Sequence, residues 1–69
     1  MKIKYFPDTD TALLEFTDRL AAETREISED IYVDLDETGH LVSMTIEHAR
    51  TSARIKELSF QEVVATSAA

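Results

Sequence analysis

Hydrophobic and polar residues alternate with a period of two along the first two-thirds of the chain, the rhythm of strands whose successive side chains point to opposite faces. Ile3 and Tyr5 alternate with Lys2 and Lys4. Pro7-Asp8-Thr9-Asp10 then supplies turn chemistry, since Pro fixes φ and Asp side chains bond nearby backbone N–H groups. A second strand is expected over residues 11–17, with Leu14 and Phe16 on one side and Leu13, Glu15 and Thr17 on the other. Residues 22–28 are more polar, with Ile27 their one large apolar residue, which suits an edge strand. Two clear strands close the series, over 30–36 and 40–48.

The hairpin between those last two strands has two plausible registers. A loop of Glu37, Thr38 and Gly39 sets Asp34 opposite Val42 and Tyr32 opposite Met44, mixing carboxylates with the apolar set. A loop running from Asp36 to Gly39 sets Val33 opposite Val42 and Ile31 opposite Met44. It gathers Ile31, Val33, Leu35, Val42, Met44 and Ile46 on one face. A slip of one residue exchanges the faces, so burial favours the second register. Gly39 provides the positive φ that closes such a loop.

The period changes in the last third. Ser59-Phe60-Gln61-Glu62 fits a capping box, with Leu58 and Val63 placed as a hydrophobic staple, so a short helix is expected over about 59–66. Residues 49–57 read as a loop with a helical turn, anchored by Ile55. The expected fold is α+β and mostly β: an antiparallel β-meander of about five strands with one short C-terminal helix packed on one face. One compact domain spans 1–66, with a small-residue end at 67–69 that frays.

Composition narrows the class. The chain has 69 residues, a formal net charge of −7 and no Cys, which leaves no disulfide framework and no thiolate metal site. Residues 8–37 hold eleven acids against two bases, Arg19 and Arg25. Such a surface repels phosphate backbones, so direct nucleic-acid binding is not expected; attraction to a basic protein surface is. No apolar run approaches the ~20 residues of a membrane span, and the N-terminus lacks the apolar stretch of a signal peptide. A cytoplasmic location and no membrane association are the corresponding expectations.

Lys2-Ile3-Lys4-Tyr5 followed by Pro7-Asp8-Thr9-Asp10-Thr11-Ala12-Leu13, together with Glu26-Ile27-Ser28-Glu29-Asp30-Ile31 and the run from Val33 to Val42, resembles the domain-of-unknown-function 2283 family of small prokaryotic proteins. The likeness spans about residues 2–49. Ser43 stands where similar sequences often have Gly, and Phe6 where Asp is common. The resemblance implies a compact, mostly-β fold of unassigned function. It points, through relatives that neighbour small toxin-like nucleases, to an antitoxin role by association.

Constellations that carry chemistry are few. Asp34-Leu35-Asp36-Glu37-Thr38-Gly39 resembles the start of a calcium loop, but Thr38 and Thr45 stand where oxygen-rich ligands are needed. His40 and His48 fall more than about 25 Å apart along one strand and cannot share an ion. No Ser has a raised turn or an adjacent base. Catalytic, metal and cofactor residues are accordingly expected to be none. The surface group singled out is Tyr32 with Asp34 and Asp36 on one strand face and Leu41 opposite Asp34, an aromatic among carboxylates suited to a basic partner. The leading expectation is a non-enzymatic protein-binding module for a basic partner, with the antitoxin-like role that the resemblance implies. Its alternatives are a structural homodimer using the mixed sheet face, and a small hydrolase or metal-binding protein.

Overall fold

The computed structural model describes residues 1–65, and the expected fraying at 67–69 lies outside them. Five strands form one antiparallel sheet: β1 (Lys2–Phe6), β2 (Thr11–Glu15), β3 (Glu23–Ser28), β4 (Ile31–Leu35) and β5 (Leu41–Glu47). A one-turn helix, α1 (Ala49–Ser52), and a 3₁₀ turn, Ile55–Glu57, follow. The mostly-β, α+β class is as expected.

The order of strands is β1-β2-β5-β4-β3, which corrects the expected meander. In a meander β3 would be central, and its charged sequence ETREIS, exposed at every position, cannot sit there. The polar strand keeps the edge, and the apolar β2 and β5 pair in the interior instead. Residues 16–22 therefore cross the end of the sheet from β2 to the far edge, completing a Greek key. The crossing is tied down along its length. The Phe16 and Thr17 N–H groups donate to the Val42 carbonyl at 2.9 and 3.3 Å, and the Ala22 N–H donates to the Leu35 carbonyl at 2.8 Å.

Register assigns the faces, because directly opposed residues point the same way. One face gathers Ile3, Tyr5, Ala12, Leu14, Ile31, Val33, Met44 and Ile46. The other carries Lys4, Leu13, Thr45, Tyr32 and Glu26 in a single cross-strand row, flanked by a row of Lys2, Glu15, Ser43, Asp34 and Thr24. The β4–β5 register corrects the favoured four-residue loop. Val33 faces Met44 and Ile31 faces Ile46, two residues along from the expected partners. The loop itself is the shorter one, closed by the Asp36 N–H donating to the His40 carbonyl at 2.9 Å, with Gly39 at φ +86°. A bulge at Val42, between the Asp34–Ser43 and Leu35–Leu41 pairs, then shifts the register by one residue. That shift restores the parity burial demands, so the apolar grouping survives in a different pairing.

The core is thin. Ala12, Val42, Ile46 and Ala49 are its buried apolar residues, and among the described residues no large side chain is fully buried. Ala49 caps Ala12 and Ile46, with Tyr5, Leu14, Met44 and Ile55 packed around them. Ile55 is the anchor expected of its segment. The helix expected over 59–66 is absent from its described part: residues 59–65 have no regular structure, and Phe60 is 88% exposed. A helix that short needs packing to hold it, and Phe60, Val63 and Val64 are left largely exposed by the described residues.

Polar ties supplement this core. Asp10, at φ +54°, accepts the Tyr5 hydroxyl at 2.7 Å and the Arg50 N–H at 3.1 Å through its carboxylate. Its carbonyl accepts the Ala49 N–H at 2.9 Å, locking α1 to the β1–β2 turn. Because Ile46 joins the two sides of the small core, Ile46→Ala is expected to cost about 2–5 kcal/mol. Against a total of about 3–10 kcal/mol for a chain of this size, urea unfolding should show most of the stability gone.

Candidate functional site

Tyr32 lies half-buried on the polar face of the sheet, where the strands assemble carboxylates around it. Glu26 of β3 is its direct cross-strand partner, and Thr45 of β5 stands on its other side. Asp34 follows two residues along β4, and Glu47 lies diagonally across β5. Glu29 and Asp30 of the tight β3–β4 turn close the end, with the Tyr32 hydroxyl 3.5 Å from the Glu29 carbonyl oxygen. The charge on Glu26, then partial burial and the charges on Glu47, Asp30 and Glu29, push the phenol above its ordinary pKa. The site is therefore an aromatic plate held in a strongly negative field.

Of the four residues singled out in the sequence, the structure brings Tyr32 and Asp34 together. Asp34 is bound by its neighbours: the Ser43 hydroxyl donates to it at 2.7 Å and the Thr24 hydroxyl reaches it from β3. Asp36 is buried in the hairpin loop. One carboxylate oxygen accepts the Thr38 N–H at 3.0 Å, the His40 N–H at 2.9 Å and the Thr38 hydroxyl at 2.8 Å, while Arg19 lies 3.3 Å from the other. Leu41 pairs with Leu35 across the bulge, so it stands on the apolar side and not opposite Asp34. Sequence reasoning missed Glu26, Glu29, Asp30 and Glu47. The first three were legible from a hairpin turning at Glu29-Asp30; Glu47 enters through a pairing whose register depends on the Val42 bulge.

Two other arrangements bear on chemistry. Between the crossing segment and the hairpin lies an open hollow of about 520 Å³ lined by Arg19, Leu20, Ala21, Ala22, Asp36, Glu37 and Thr38. At its rim Thr38 Oγ1 is 2.7 Å from His40 Nδ1 as well as bonded to Asp36. This hydroxyl–imidazole–carboxylate grouping lies within five consecutive residues, and its bonds to the Thr38 and His40 N–H groups are those that close an Asx-type turn. Elsewhere, His48 at φ +53° places Nδ1 2.9 Å from Asp30 Oδ1, and the Ser52 hydroxyl reaches the other Asp30 oxygen at 3.2 Å. Asp30 thus ties α1 to the β3–β4 turn beside Tyr32.

A family model described as a protein of unknown function, DUF2283, matches residues 2–50, from the first strand to the start of α1. The chain belongs to the DUF2283 family. No curated protein and no solved structure matches it. The matched region of this DUF2283 protein contains the whole sheet and the Tyr32 surroundings, and stops short of Ile55 and the segment after it. Its acids are dispersed: among the described residues no group of three or more His, Cys, Asp or Glu is gathered closely enough to hold a metal ion. Among them, too, no helix is long and apolar enough to cross a membrane.

The aspartate ties make stability depend on pH from both sides. The Asp36 carboxyl is held below its ordinary range chiefly by the His40 N–H, then by the Thr38 hydroxyl. Asp10 is lowered chiefly by the Tyr5 hydroxyl. Their contribution is present above the unfolded carboxylate pKa of about 3.9 and is lost as pH falls through the depressed folded values. His48 is raised above its ordinary pKa, first by its hydrogen bond to Asp30 and then by that residue's charge. Its contribution is full below about pH 6.5 and is lost as pH rises through the folded value. Thermal melts should therefore fall off below about pH 4, less steeply in Asp36→Asn. A smaller decline above about pH 6.5 should disappear in His48→Gln.

Proposed function

We propose that this protein is a non-enzymatic binding module whose Tyr32 face docks a basic protein. The observation that carries the reading is the ring of Glu26, Glu29, Asp30 and Glu47 around a half-buried aromatic side chain. A guanidinium laid on that ring would meet the π-face and several carboxylates together, in a geometry that favours Arg over Lys. Asp34, fixed by Ser43 and Thr24, adds charge without needing to be ordered on binding. The partner class indicated by the family resemblance is a small toxin-like nuclease, whose nucleic-acid surface would be basic in order to attract phosphates. Asp36 contributes through the shape of the hairpin.

Recovery of a basic protein by the tagged full chain at low salt tests the reading. Affinity should fall steeply as salt rises. Glu26→Lys with Glu47→Lys should weaken it by roughly 100-fold, since two charges change sign at the contact. Tyr32→Ala should cost roughly tenfold or more with the sheet intact. Binding that is indifferent to salt and to all three changes, or no basic partner at all, would remove the proposal.

A second reading is a structural homodimer. It is supported by the thin core: Ile3, Leu14, Ile31, Val33 and Met44 stand on one face only partly covered by α1 and Ile55. Sedimentation of the isolated chain should then depend on concentration.

A further inference from the structure

The segment after Ile55–Glu57 carries more exposed apolar surface than any other part of the described chain. Leu58 is 63% exposed, Phe60 88%, Val63 79% and Val64 78%. Its origin is pinned, because Ile55 is packed against the core and Arg54 takes a left-handed turn at φ +46°. From there Leu58 is extended, at φ −69° and ψ 134°. The longest dimension of the molecule is 48 Å. Five strands about 4.8 Å apart span roughly 20 Å, and strands of five to seven residues are roughly 17–24 Å long. The segment therefore projects beyond its own sheet, and the radius of gyration of 14.6 Å exceeds the ~11 Å of a compact chain this long. An apolar arm aimed away from its own body has its complement on another molecule.

We propose that residues 58–64 form an arm exchanged between two copies of this chain, each arm lying across the half-covered apolar face of its partner. The proposal rests on the homodimer reading and names the element that builds it. At about 3.3 Å per residue, an extended 58–64 reaches roughly 23 Å, enough to cross the sheet. Alternation sets Leu58, Phe60 and Val64 on one side of the arm, facing Ile3, Leu14, Val33 and Met44; Glu62 shares that side and Val63 takes the other. The three apolar residues on that side expose roughly 400 Å², as expected for one aromatic and two aliphatic side chains of this exposure. A two-fold exchange that also covers the surface beneath each arm buries roughly 1,600 Å², the size of a stable interface. The arms occupy the face opposite Tyr32, so a dimer leaves the acidic surface open.

Sedimentation velocity on the full chain from roughly 1 µM to 1 mM should show a dimer. Raising salt should leave it unweakened, unlike the contact of the Tyr32 face. Phe60→Asp with Val64→Asp should raise the dimer dissociation constant by roughly 100-fold or more, with the far-UV β-signal of the sheet retained. A spin label on Val63→Cys, mixed with isotope-labelled unmodified chain, should broaden the Leu14 and Met44 amides of the other copy, and decides the matter even where the double variant unfolds. A wild-type dimer that is unaffected by the arm substitutions and shows no such broadening overturns the arm while leaving the homodimer reading intact. A monomer throughout the concentration range overturns both. Either result leaves the basic-partner reading to its own test.

Discussion

The central position of β5 is the constraint on which the rest of the structure depends. It pairs with β2 on one side and β4 on the other, so both halves of the sheet are referred to its register. Ile46 on this strand sets the parity, since it must meet Ala12 of β2 and accept Ala49 from the residues that follow. Once that parity is chosen, Tyr32, Asp34, Thr45 and Glu47 have only the other face to occupy. The acidic surface is the consequence of burying a small apolar set. Both pairings of β5 enter the same argument, although one is a hairpin and the other spans some thirty residues of chain and must await closure of that loop.

With so few buried side chains, aspartates hold the connections that a larger domain would leave to packing. Asp10 joins the first turn to α1, Asp30 joins the β3–β4 turn to the same helix, and Asp36 organises the β4–β5 loop and holds Arg19 of the crossing segment. Each sits at the end of the sheet where the chain reverses or crosses, the place where backbone N–H groups have no ladder partner. Part of the strong acidity of the sequence is thus structural. The acids around Tyr32 without such duties are Glu26, Glu29 and Glu47, whereas both Asp30 carboxylate oxygens are engaged by His48 and Ser52.

These separations explain what could be read in advance. Strand positions, the polar edge, the turn at Gly39 and the division of residues between faces follow from alternation, which any register of the right parity preserves. The order of strands does not, because alternation is silent on which neighbour a strand selects. Even so, an edge role for Glu23–Ser28 was already incompatible with a meander, and only one of the two could stand. The Val42 bulge was invisible for a related reason: an extra residue whose carbonyl is used by Phe16 and Thr17 is stabilised by a distant part of the chain. It moved Leu41 away from Asp34 and brought Glu47 beside Tyr32. The capping-box pattern at Ser59 failed for want of a packing surface, since local signals state how a helix would begin and not whether anything holds it.

A sheet one layer thick gives its two faces an unusual relation. Tyr32 and Val33 are consecutive residues of β4 pointing opposite ways, so the acidic and apolar surfaces share one backbone. Anything that binds the folded sheet and not the unfolded chain stabilises it by mass action, whichever face it uses. In a domain with so small a core, covering the apolar face would order the strands that present Glu26, Tyr32 and Glu47, and binding at those residues would favour the same ordered sheet. Two contacts of opposite chemistry, one screened by salt and one not, would then support each other with no movement between them, through the shared need for a formed sheet.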